Sequence, residues 1–152
     1  MPLYLEDLKP GMTITAGPIT VKEDQAIAFA KQFDPQYFHT DPAAAKNSFF
    51  DGLAASGWHV AALTMRMLVD SPLAQIANGL IGIEIRKLRW PRPTRPGDAL
   101  RATVEVLETT PSRSRPGWGT AFLRWTVRNQ RDEIAMDLEN IIWVARRPDR
   151  DA

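Results

Sequence analysis

An α+β architecture is predicted, a curved antiparallel sheet wrapped around one long helix, and three observations carry it. From Leu53 to Val69 the chain is apolar on nearly every side, with charge returning only at Arg66 and Asp70, the pattern of a buried helix. After that stretch the apolar period changes from 3.6 to 2 in a series of long runs. The connections between those runs are short, and strands joined by short turns pair antiparallel. Such a sheet needs one face covered, and the apolar helix is the element available to cover it.

Taken in order, Pro10-Gly11 marks a turn and Met12 to Thr15 a first short strand. Thr20-Val21-Lys22-Glu23 has capping-box spacing, so a helix is expected to begin at Thr20, with Ile27, Ala28, Ala30 and Phe33 at helical intervals. Asp34-Pro35 ends it, because the residue before a proline disfavours the α region. A loop over 34–41 is expected next, and Asp41-Pro42 opens a short capped helix. Ser48 to Gly52 breaks that helix, and the long apolar one is expected from Leu53 until Ser71-Pro72. Ile81, Ile83 and Ile85 then alternate with polar residues, as do Leu100, Ala102, Val104 and Val106. Leu123, Trp125 and Val127 repeat the pattern, and Ile134 to Val144 form a final long strand. Pro91 to Gly97 and Pro111 to Gly119 are the connecting loops.

The bulk properties narrow the function. A chain of 152 residues, 44 % hydrophobic and 24 % charged, is read as a single domain over 1–152. A net charge of +1 provides no long-range field to recruit nucleic acid or anionic lipid. Without cysteine there are no disulfides and no thiolate chemistry. Two histidines, with no close carboxylate pair around both, give poor metal-ligand geometry, so no metal is expected. No leader-like or membrane-spanning apolar run is visible, and a cytoplasmic protein is expected.

Chemistry concentrates in two stretches. Phe33-Asp34-Pro35-Gln36-Tyr37-Phe38-His39-Thr40-Asp41 places an imidazole five residues after a carboxylate, and Gly52-Leu53-Ala54-Ala55-Ser56-Gly57 leads into the central helix. A carboxylate and an imidazole can share a water, and a helix N-terminus can hold a developing negative charge. Together they point to acid–base chemistry on a carbonyl compound. Asp34 also has the alternative of an Asx-type turn, and His39 that of a hydrogen-bonded structural histidine. His59 reads as a packing residue and Asp41 as an N-cap.

As a set, these stretches resemble the hydratase-2 motif of the MaoC-like dehydratases, the family that includes (R)-specific enoyl-CoA hydratases. Arg92-Pro93-Thr94-Arg95-Pro96-Gly97-Asp98 resembles the segment such proteins carry between two strands. The resemblance runs over roughly residues 10 to 145 and implies the hot-dog fold. It departs from the family pattern at Tyr37, where many relatives have proline, and near Met65, where fatty-acyl hydratases carry serine.

The resemblance implies Asp34 and His39 as a catalytic pair and the Gly57 amide as an oxyanion donor. It further implies an acyl-CoA thioester substrate, no cofactor, and a homodimer joined through its sheets. Ser56 and Trp58 are the expected substrate contacts beside Gly57. Of the basic run Arg86, Lys87, Arg89, Arg92, Arg95, a solvated strand edge is one reading and contact with CoA phosphates the other, Arg89 being the residue assigned to it. A hot-dog thioesterase and a non-catalytic acyl-CoA-binding domain are the competing functions.

Overall fold

A computed structural model describes residues 1–149. Its order is β1 (Thr13–Thr20), α1 (Glu23–Phe33), α2 (Tyr37–Thr40), α3 (Pro42–Ala45), α4 (Gly57–Val69), β2 (Ile81–Arg89), β3 (Ala99–Pro111), β4 (Trp118–Arg128) and β5 (Ile134–Ala145). The five strands form one antiparallel sheet in the order β1-β3-β4-β5-β2. In β3 the alternation read from the sequence is the alternation observed: Leu100, Ala102, Val104 and Val106 are all buried. They meet Val60, Met67 and Leu68 of α4 in one core, with Leu123 and Val127 from β4 and Met136 and Val144 from β5. This is the hot-dog arrangement. No helix among the described residues is long and apolar enough to cross a membrane.

Two boundaries differ from the sequence reading, each for a local reason. Thr20 does not cap a helix. The β1 ladder shifts register after Ala16 and resumes, pairing Ile19 with Leu100 and Thr20 with Ala99. So α1 begins at Glu23 behind Lys22, which makes no side-chain cap, and Glu23 and Asp24 supply the negative charge that suits a helix N-terminus. The long helix begins at Gly57, not Leu53. Leu53 to Ser56 is buried but extended, because the Ala54 amide donates to the Phe38 carbonyl (3.1 Å) and the Ala55 amide to the Thr94 carbonyl (2.8 Å). Burial in either form demands the same apolar residues.

A third difference concerns exposure. Although α4 is apolar all round, one side of it is uncovered: Trp58, Met65 and Val69 are exposed. So is every residue of the edge strand β2 except Leu88. Ile141 and Trp143, on the opposite face of β5 from the buried Ile142 and Val144, are half-covered, with Arg115 lying over the Trp143 ring.

Candidate active site

The turn between α1 and α2 and the extended run before α4 meet at one point. Asp34 is the C-cap of α1, with φ −150° and ψ 64°, where Pro35 forbids another helical turn. In place of the expected open loop the chain forms the single turn of α2, which carries His39. Its Nδ1 sits 2.6 Å from the Ala54 carbonyl. A carbonyl oxygen only accepts, so Nδ1 carries the proton and Nε2 is left as the reactive nitrogen. That Nε2 is 3.3 Å from Asp34 Oδ2, with the His39 side chain 7 % exposed and that of Asp34 18 %.

Asp34 is held at both oxygens. The Ser56 hydroxyl donates to Oδ2 at 2.8 Å and the Gln36 side-chain amide to Oδ1 at 2.6 Å. Burial pushes the carboxyl up, but the hydrogen bonds from Gln36 and Ser56 and the charge of His39 outweigh it, holding Asp34 below its ordinary value. The group is therefore a carboxylate at neutral pH.

Both side chains open on a cleft of about 490 Å³. Gly57, Trp58 and Trp90 form one wall, with Thr94, Phe50 and Arg92 among the others. Gly57 is the first residue of α4, and the amides of Gly57 and Trp58 find no acceptor among the described residues. A Cβ built on Gly57 would lie 2.5–2.9 Å from three atoms of the Trp90 ring. The glycine is thus required by the tryptophan packed on it. Trp90 in turn stands edge-on to Trp58, ring centroids 5.2 Å apart.

The structure brings Asp34, His39, Gly57 and Trp58 to the cleft, but Ser56 and Arg89 occupy other places. Ser56 has no exposed surface, so a substrate contact is replaced by its hydrogen bond to Asp34. Arg89 lies outside the cleft, in a two-pronged ion pair with Asp137. The rest of the basic run is similarly engaged. Arg86 pairs with Glu84 and Arg92 with Glu133, while Arg95 donates to the carbonyls of Phe50, Gly52 and Leu53 and so ties down the segment leading to α4. Sequence reasoning assigned nothing to Gln36 or to the Ala54 carbonyl. Gln36 carried a readable signal, an amide two residues beyond an acid in a turn; the Ala54 carbonyl carried none.

His59 is buried against Phe29, centroids 4.9 Å apart, with both ring nitrogens unpartnered. Burial alone depresses its pKa below 6.5. A base depressed in the folded state takes up its proton more readily when unfolded. Its contribution to stability is therefore full above pH 6.5 and declines as the pH falls below that value. Replacing His59 by Phe is expected to leave the protein on the order of 1 kcal/mol more stable at pH 7.5, since the unpartnered nitrogens go. The advantage should widen at pH 5.5. Urea midpoints at the two pH values measure it; parallel midpoints for parent and variant would refute it.

The chain has relatives among known proteins. The model of the family described as "MaoC like domain" matches residues 7–121. The chain is 46 % identical to the crystal structure of a MaoC-like dehydratase from Rhodospirillum rubrum, covering 96 % of this chain and 99 % of that one, with a TM-score of 0.91. It is 25 % identical to the R-hydratase PhaJ1 from Pseudomonas aeruginosa, at a TM-score of 0.74, covering 96 % of this chain and 88 % of that one. Uncharacterized protein YdeM of Bacillus subtilis is 28 % identical over 145 residues, 95 % of this chain and 100 % of YdeM.

Proposed function

The chain belongs to the MaoC-like domain family, and on that premise we propose that it adds water to, or removes it from, an acyl-CoA thioester, as an enoyl-CoA hydratase or 3-hydroxyacyl-CoA dehydratase. The observation that carries the reading is the Asp34–His39 pair, two acceptor atoms 3.3 Å apart at a cleft that also holds the unpartnered Gly57 amide. With Nδ1 engaged by Ala54, a neutral His39 presents a lone pair at Nε2 beside a carboxylate oxygen. One water can donate a hydrogen to each and keep its own lone pair for C3 of an enoyl thioester.

His39 takes the water's proton as the C–O bond forms, and the pair returns a proton to C2. Negative charge meanwhile gathers on the thioester oxygen, where the Gly57 amide is the donor, reinforced by the N-terminus of α4. Dehydration runs the same steps backwards. Trp58 and Trp90 flank the acyl group. The whole chain acts as one such domain.

The assembly is a homodimer. The exposed edge strand β2 and the uncovered apolar side of α4 are surfaces a second copy would cover, extending one sheet into the other. Light scattering of the parent at micromolar concentration should give a dimer mass. Ile83→Lys combined with Met65→Glu should give a monomer; a monomeric parent would refute the assembly.

The test of the activity is a panel of crotonyl-CoA and longer enoyl-CoAs, monitored at the enoyl absorbance and, in parallel, with a thiol reagent. Absorbance loss without free thiol is the expected result. Thiol release would make the protein a thioesterase, and neither signal, with a saturated acyl-CoA still bound, a passive binder.

A further inference from the structure

We propose that Ser56 is a positioning residue for Asp34. Its hydroxyl stands where a serine would ordinarily cap its own helix, yet it holds the carboxylate oxygen that faces His39 and leaves the first amides of α4 open. The inference deepens the hydratase reading and rests on it.

Serine is a favoured N-cap because its oxygen accepts a hydrogen bond from an amide of the first turn. Ser56 occupies the N-cap of α4 and makes no such bond. Its hydroxyl is 2.8 Å from Asp34 Oδ2 instead, and because a carboxylate only accepts, Ser56 is the donor. The two residues are 22 apart in sequence, so this bond joins the end of α1 to the start of α4. It ends on the same oxygen that His39 Nε2 approaches.

The two holds on Asp34 are unequal. Gln36 is exposed, and water competes for its amide. Ser56 is wholly buried, so nothing replaces its hydroxyl when it is removed. The bond therefore does two things at once. It fixes the carboxylate in the orientation that lets both acceptors meet one water, and it favours the ionised form of Asp34. The other charged groups near Asp34 are His39, from α2, and Arg92 in the cleft lining, already paired with Glu133 at 2.9 Å. Neither would compensate for a lost Ser56 donor, since His39 is placed by Ala54 and Arg92 by Glu133.

Ser56→Ala removes the donor without adding bulk, and Ser56→Cys keeps the shape with a weaker donor. For Ser56→Ala, kcat on an enoyl-CoA should fall about ten- to fifty-fold, a part of the about 10²–10⁴-fold that general acid–base catalysis contributes, with KM little changed. The acid limb of the kcat profile should move up by about one pH unit, a tenfold change in proton affinity. Ser56→Cys should fall between Ala and the parent in both respects. Carbon-13 NMR titration of the Asp34 carboxyl, assigned by its loss in Asp34→Asn, should show the same upward shift without any turnover. That readout separates the two claims. If the parent hydrates enoyl-CoA but neither the Asp34 titration nor the acid limb moves in Ser56→Ala, the positioning role is overturned and the hydratase reading stands. If the parent turns over no thioester, the titration alone decides: an upward shift supports the hold on Asp34, and an unmoved one overturns it.

Discussion

Asp34→Asn and His39→Gln should each lower kcat by at least about 10²-fold, and up to about 10⁴-fold, while the protein stays folded. Asp34→Asn is a demanding test because it disturbs so little else. An asparagine can turn its carbonyl oxygen to the Ser56 hydroxyl and its amide to the Gln36 side chain, whose own amide can reverse to accept, so the local hydrogen bonds survive. What is lost is the carboxylate that holds the water and polarises His39. His39→Gln keeps a donor for the Ala54 carbonyl and removes the nitrogen that takes the proton. Because the two side chains act on one water, the double variant should be no slower than the worse single one. Steady-state kinetics alongside circular dichroism settles the matter: near-parent turnover in either folded variant would remove the pair from the mechanism.

The second large effect is at Gly57. Gly57→Val is expected to cost about 10²–10³ in kcat, the scale on which an oxyanion donor contributes. It should also weaken binding of a saturated acyl-CoA, which Asp34→Asn should leave bound. A side chain at 57 has two ways to do harm, since its Cβ would push the Trp90 ring aside and its branched chain would stand before the amide. A Trp90→Ala background separates them. There the strain is relieved, so the melting temperature lost to Gly57→Val should be recovered while turnover is not. If Gly57→Val in that background matched Trp90→Ala alone in kcat and acyl-CoA affinity, the glycine would serve only to seat the tryptophan, and the amide would lose its role.

What could be read from the sequence was whatever is written locally. The strands β3 to β5 announce themselves by a period of two, and Asp34, Pro35 and His39 lie within one turn of chain. Non-local bonds were not legible. Nothing near Thr20 says that its backbone pairs with Ala99, and this pairing is what cancels the capping box. Nothing in Leu53 to Ser56 separates a buried extended segment from a buried helical turn, because the distinction lies in the carbonyls of Phe38 and Thr94. Ser56 read as a substrate contact until its partner 22 positions away was in view. Gly57 read only as an amide donor until Trp90 proved to be packed against it. The basic run Arg86 to Arg95 stayed open between a solvated strand edge and a phosphate site because Asp137 and Glu133, which pair with Arg89 and Arg92, arrive from β5 and the turn before it.

The central claim, that this cleft adds water across the double bond of an enoyl thioester, is tested most directly by where the water's oxygen goes. Crotonyl-CoA incubated with the purified protein in ¹⁸O-labelled water, with the products taken to mass spectrometry, gives the answer in one measurement. The expected product is 3-hydroxybutyryl-CoA with its thioester intact and the label on the C3 hydroxyl. Label in a free carboxylate, or crotonyl-CoA recovered unchanged, would contradict it.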